Sequence, residues 1–193
     1  MIGHRGAAGL APENTLPAFA RACEIGVDAV EFDVLFTADG EAVVYHDFNL
    51  KPEITRTQDG KWIEDSTPPA INDLTLAQLK TYDVGRLKPR SRYARRYPEQ
   101  QPVDGERVPT LREVISLHKQ QCHKAIELWI EIKTSPEKSD LTPAPEVVAE
   151  AVVKIVREKK ISDWVRILSF DWRNLVHVQK IAPDILKAIL KNP

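Results

Sequence analysis

Leu16, Phe19, Ala20 and Cys23 recur at the three- and four-residue spacing of a helix with one buried face. Thr15 precedes them as an N-cap type, Pro17 suits a first helical turn and Gly26 supplies a stop, so a helix is expected from about Thr15 to Gly26. Thr75 with Gln78, and Thr110 with Glu113, are capping boxes that each open a further helix. Val148, Val152, Ile155 and Val156 form the apolar stripe of another, from about Pro145 to Lys159. Apolar and β-branched runs predict strands at Asp28–Val34, Ala42–His46, Glu127–Lys133, Trp164–Phe170 and Asp184–Leu190. Alternation of strands with helices argues an α/β fold with parallel strands. Between His46 and Pro109 the sequence turns proline-rich and aperiodic. That stretch is too long for an ordinary loop and is expected to be an inserted subdomain at about 47–107.

The link from Val34 to Ala42 is too short for a crossover helix, and Asp39-Gly40 is a strong hairpin signal. With those two residues as the turn, Asp33 faces His46 across the hairpin, about 5 Å away.

Composition narrows the class. The 193 residues suffice for one sizeable domain, and 42% of them are apolar, which argues against disorder. A net charge of −1 gives no global attraction to nucleic acid or to an anionic membrane. No apolar run approaches the ~20 residues of a membrane span. The start, Met1-Ile2-Gly3-His4-Arg5, lacks the apolar region of a signal peptide. Of the two cysteines, Cys23 lies in an apolar helical pattern and reads as a buried reduced thiol. A disulfide scaffold is therefore not expected, and a reducing, cytoplasmic setting fits. The six basic residues of 86–96, unrelieved by any acid, read either as a solvated face or as a guide for anionic substrate.

The chemical signal lies in strands that should be apolar. Strands covered on both faces are nearly continuous in hydrophobic residues. Yet Val30-Glu31-Phe32-Asp33-Val34 places two carboxylates on one face, about 6–7 Å apart along the strand. Trp129-Ile130-Glu131-Ile132-Lys133 repeats the theme. Left alone, such acids repel; a divalent cation resolves the conflict, and hard oxygen ligands select Mg²⁺ or Ca²⁺ over zinc. Lys133 lies two residues nearer the C-terminal end of its strand, where barrel active sites form, and can meet a phosphate as a point charge. His4 and His46 stand at strand ends with these acids, and histidine suits proton transfer near neutrality. His118, His123 and His177 lack such company and read as structural.

In order, His4-Arg5-Gly6, Pro12-Glu13-Asn14-Thr15, Glu31-Phe32-Asp33-Val34, Thr37-Ala38-Asp39-Gly40, His46-Asp47, Val108-Pro109-Thr110-Leu111 and Glu131-Ile132-Lys133 closely resemble the glycerophosphodiester phosphodiesterase family, as does Ser169-Phe170-Asp171. The resemblance runs along essentially the whole chain, 1–193, as a single domain with the 47–107 insertion. It implies a TIM-type (β/α) barrel of the PLC-like phosphodiesterase kind and hydrolysis of a small-molecule glycerophosphodiester to sn-glycerol 3-phosphate and an alcohol. It implies His4 and His46 as the acid–base pair, and Glu31, Asp33 and Glu131 as ligands of Mg²⁺ or Ca²⁺. Arg5 and Lys133 would hold the phosphate, with Glu13 in support.

Two alternatives stay open: a related phosphodiesterase acting on another phospholipid-derived diester, and a non-catalytic binding protein on a truncated barrel. The second arises because a (β/α)₈ domain takes roughly 250 residues. The first strand is short, and two further strands that the family carries do not appear after Asp184–Leu190. The sheet is expected to be open there. Either the sequence is a piece of a longer protein or a second copy covers the edge in a homo-oligomer.

Overall fold

The computed structural model describes residues 1–122 and 126–191. Six strands form one sheet: β1 (Ile2–His4), β2 (Ala29–Phe36), β3 (Ala42–Val44), β4 (Glu127–Ile132), β5 (Val165–Ser169) and β6 (Leu186–Ile189). β1, β2, β4, β5 and β6 pair in that order and in parallel, while β3 pairs with β2 antiparallel. Every strand expected from the sequence is present within a few residues of its predicted bounds. Among the described residues β1 pairs with β2 and β6 with β5, which puts these two strands at the ends of the strand order.

The helices are α1 (Leu16–Ile25), the short α2 (Leu76–Leu79) and α3 (Arg92–Arg96), then α4 (Leu111–Gln121), α5 (Pro145–Glu158) and α6 (Trp172–Ile181). Both predicted capping boxes form, on α2 and α4. None of the described helices is long and apolar enough to cross a membrane.

Strand alternation sorts the side chains into two layers. Phe32 and Val34 of β2, with Leu128, Ile130 and Ile132 of β4, join the core formed with α1, α4, α5 and α6. Phe32 meets Phe19 of α1 edge-on, with ring centroids 5.3 Å apart; burial of one such side chain stabilises by about 1.5–3 kcal/mol. The other face of β2 carries Glu31, Asp33 and Leu35. Leu35 joins Val43 and Tyr45 in a second core with Leu50, Ile54, Ile71, Leu79 and Tyr93. The aperiodic 47–107 stretch is thus seated on the β2–β3 hairpin.

The hairpin differs from its expected register by one residue. Leu35 pairs with Val43, and the Tyr45 N–H donates to the Asp33 carbonyl, so Tyr45 rather than His46 lies opposite Asp33. The cause is a three-residue loop. Gly40 takes φ 80° and donates to the Thr37 carbonyl, and the Glu41 N–H donates to Thr37 Oγ1, the pattern of a turn closed by a left-handed glycine.

The cysteines also differ from expectation. Cys23, in the last turn of α1, is joined to Cys122, the C-cap of α4, with Cα atoms 4.9 Å apart. That separation is one a disulfide spans readily. The stripe carrying Cys23 faces α4 as well as the sheet, so the thiol is not solitary, and the argument for a reducing compartment falls with it. His118 is structural as expected: its Nε2 is 2.8 Å from the Ile126 carbonyl oxygen, and burial holds its pKa below the usual value. His177 Nε2 lies 3.0 Å from Glu150 Oε1. His123 lies outside the described residues.

The disulfide closes a loop between residues 99 apart in sequence. Loop-closure entropy assigns a constraint of that length up to about 4–5 kcal/mol. The Cys23→Ser/Cys122→Ser double variant should therefore unfold at lower urea, with a stability loss inside that limit. Coincident urea curves for variant and wild type would show that the bridge is not part of the folded protein.

Candidate active site

Parallel register assembles the site. His4 on β1 stands beside Glu31 on β2, and Asp33 on β2 stands beside Glu131 on β4. Each of Glu31, Asp33 and Glu131 offers an oxygen within 4.8 Å of the others. Oxygens sharing a Ca²⁺ at about 2.3–2.6 Å lie no more than roughly 5 Å apart, so the three fit one ion. Asp33 is 1% exposed, and its Oδ1 has no hydrogen-bond partner. Burial, then the charges of Asp33 and Glu131, push the Glu31 carboxyl up to about 8. Burial also raises Glu131, against the nearby Lys133 ammonium. The cluster is a strained set of acids whose cost a cation would relieve.

The cationic residues lie against it. Lys133 Nζ is 3.1 Å from Glu131 Oε1 and 3.5 Å from Asp33 Oδ1. Arg5 Nε is 3.8 Å from Asp33 Oδ2, and Arg5 Nη1 donates to Glu13 Oε1 at 2.9 Å. His4 Nε2 lies 3.7 Å from Glu31 Oε2; burial and the Arg5 charge hold its pKa below the ordinary imidazole value. His46 Nε2 reaches within 4.0 Å of Asp33 Oδ1 despite the shifted hairpin register. Strict alternation would send His46 to the helix-covered face, but β3 ends at Val44 and the chain turns before it. All eight residues singled out in the sequence (His4, Arg5, Glu13, Glu31, Asp33, His46, Glu131 and Lys133) are therefore drawn together by a connected set of contacts.

The loop after β1 is shaped for this purpose. Arg5 and Asn14 adopt φ of 53° and 54°, which residues other than glycine rarely do. Gly6, at φ 78°, passes so close to α1 that a Cβ would lie 2.8 Å from the Ala18 carbonyl carbon. No larger residue fits there, which explains the glycine of His4-Arg5-Gly6.

A family model for the glycerophosphoryl diester phosphodiesterase family matches residues 4–191. The chain belongs to that family. A glycerophosphodiester phosphodiesterase of Caldanaerobacter subterraneus subsp. tengcongensis is 35% identical over 98% of this chain and 65% of its own length. A Silicibacter pomeroyi DSS-3 crystal structure described under the same family name superposes with a TM-score of 0.89 at 36% identity, covering 98% of this chain and 63% of that one. An Oleispira antarctica phosphodiesterase in complex with the product sn-glycerol-3-phosphate superposes with a TM-score of 0.73 at 28% identity, covering 97% and 64%. The chain thus spans a little under two thirds of the length of these relatives. The TIM-type barrel expected from the sequence is the family fold, represented here by β1, β2, β4, β5 and β6 with their covering helices.

Three residues in contact with this cluster were not assigned from sequence. Asn14 donates from Nδ2 to Asp33 Oδ2 at 3.2 Å; its signal was an amide at the centre of Pro-Glu-Asn-Thr, of the few residue types that tolerate left-handed backbone. Asp47 Oδ1 lies 2.8 Å from His46 Nδ1, and despite partial burial the hydrogen bond and charges of His46 and Lys51 draw its carboxyl down to about 2. Tyr93 bonds Glu13 and Arg5 from α3; nothing in its aperiodic surroundings marked it.

Asn14→Ala removes both the amide donor and the tolerance for φ 54°. It should cost about 1–3 kcal/mol in urea unfolding, the weight of a buried acceptor left unpaired. An unchanged midpoint would mean that the Asn14–Asp33 bond contributes nothing to stability.

Proposed function

We propose that this chain carries the site of a metal-dependent phosphodiesterase, which hydrolyses glycerophosphodiesters to sn-glycerol 3-phosphate and an alcohol. The observation that carries this reading is the set of three carboxylates within 4.8 Å of one another, with two histidines and two cations against it. Family membership and the product bound in the Oleispira antarctica relative support the substrate class. We read 1–193 as part of one such domain, with 47–107 inserted.

Glu31, Asp33 and Glu131 would hold Mg²⁺ or Ca²⁺, since their donors are all hard oxygens and the buried Asp33 Oδ1 accepts no hydrogen bond. When bound, the ion acts as a Lewis acid toward a phosphoryl oxygen. Arg5, with its planar fork, and Lys133, as a point charge, bind the remaining phosphate oxygens. Glu13 orients Arg5. His4 and His46 form the general acid–base pair, one accepting the proton of the nucleophile and the other delivering one to the leaving alkoxide. Asp47 engages Nδ1 of His46 and leaves Nε2 toward the cluster.

Release of glycerol 3-phosphate, read by a coupled dehydrogenase, tests the activity. His4→Ala and His46→Ala should each lower turnover by roughly 10²–10⁴. Glu131→Gln should abolish it while leaving the circular dichroism spectrum unchanged. Either histidine variant turning over at the wild-type rate removes that residue from the chemistry.

Metal binding has a signed pH dependence. Glu31 is protonated below about 8 in the folded chain and must lose that proton to ligate. Calorimetric Ca²⁺ titrations should therefore show proton release, with affinity strengthening from pH 6 towards 8. An affinity flat in pH, or full turnover in excess chelator, would remove the metal role.

A further inference from the structure

Besides Asp47, which bonds His46, the 47–107 stretch reaches the site through the hydroxyl of Tyr93. Tyr93 is 9% exposed, its ring meets Tyr97 edge-on at 5.3 Å, and Lys51 Nζ lies 4.1 Å from the ring centroid. Its N–H donates to Glu53 Oε1 at 3.3 Å. The ring and backbone are thus fixed by neighbours within the insertion, and only the hydroxyl faces the site. That hydroxyl donates to Glu13 Oε2 and accepts from Arg5 Nη1 at 3.2 Å, bonding residues 80 and 88 positions earlier in the chain. The other Glu13 oxygen takes a second bond from the same Arg5 nitrogen, at 2.9 Å. Arg5 Nε, in contrast, is buried without a hydrogen bond and lies 3.8 Å from Asp33 Oδ2.

We propose that Tyr93 is a positioning residue for the phosphate-binding arginine: with Glu13 it clamps Nη1 of Arg5 and so fixes the rotation of the guanidinium over the acid cluster. The inference rests on the phosphodiester reading for what Arg5 binds, but not for the clamp itself. A tyrosine buried only for packing would need some partner for its hydroxyl. Here the partner is one half of a carboxylate whose other half already holds the arginine. The clamp also gives the insertion a role in the site: it supplies the third member of a triangle whose other two members come from the loop after β1. Arginine recognises phosphate through two parallel N–H groups, so its rotation about Cζ matters as much as its charge.

Tyr93→Phe keeps the ring and its contacts with Tyr97 and Lys51 and removes only the clamp. Two readouts are proposed. In the first, phenylglyoxal labelling of Arg5 is followed by mass spectrometry without any ligand; the variant should label several-fold faster than wild type. In the second, sn-glycerol 3-phosphate binding is measured by calorimetry in the presence of Ca²⁺; the variant should bind about tenfold more weakly, the weight of one charge-assisted hydrogen bond. KM should rise more than kcat falls, and in a Glu13→Gln background Tyr93→Phe should add little. Wild-type labelling and wild-type affinity in Tyr93→Phe, with the melting temperature retained, would overturn the proposal. Should that variant melt markedly lower, Glu13→Gln, which keeps both the ring and the hydroxyl, carries the same expectation and the same refutation. Failure of the wild type to bind sn-glycerol 3-phosphate counts against the phosphodiester reading alone, because the labelling still reports on Arg5.

Discussion

Parallel pairing of β2 with β4 sets Asp33 beside Glu131, and the two-residue strand period adds Glu31 on the same face. Asp33 and Glu131 are buried and Glu31 is half-buried, so the groups around them answer their charge. The adjacent His4 and Arg5, together with His46 and Lys133, arrive from three different segments, and each lies within ion-pair reach of at least one of the three acids. Asn14 contributes the neutral donor that a further cation could not supply without crowding. Removing one partner leaves the others facing an uncompensated charge, which makes the set strongly non-additive.

That convergence also explains where backbone strain is tolerated. The loop after β1 holds two non-glycine residues in left-handed geometry, and Gly6 lies flush against α1. Such conformations persist only where surrounding contacts over-determine them. Here the Asn14 N–H donates to the Arg5 carbonyl, tying the two strained residues to one another, while their side chains are fixed by Asp33 and Glu13.

Most of this was legible in the sequence because the site violates a pattern. Glu31, Asp33 and Glu131 stood out as acids in runs that should be apolar, and both capping boxes stated their helices' starts outright. Three features escaped for physical reasons. The hairpin register depends on a left-handed Gly40 that makes a three-residue loop out of an apparent two-residue turn, and a slip of one exchanges Tyr45 for His46 opposite Asp33. Pairing of Cys23 with Cys122 depends on which helix packs beside α1, information that no local spacing contains. Tyr93 sits in sequence without periodicity, and its partners lie 80 and 88 residues away. Local patterns reveal residues that break a rule; they are silent about residues that obey none.

The Cys23–Cys122 bridge makes a covalent ring of everything between those positions: β2, β3, the 47–107 stretch and α4. Glu31, Asp33, His46 and Tyr93 lie inside the ring, whereas His4, Arg5, Glu13, Glu131 and Lys133 lie on the two tails that leave it. A protease that nicks the ring once therefore cannot release a fragment. The severed halves remain tethered through sulfur, with the tails still attached, and only reduction would let them part.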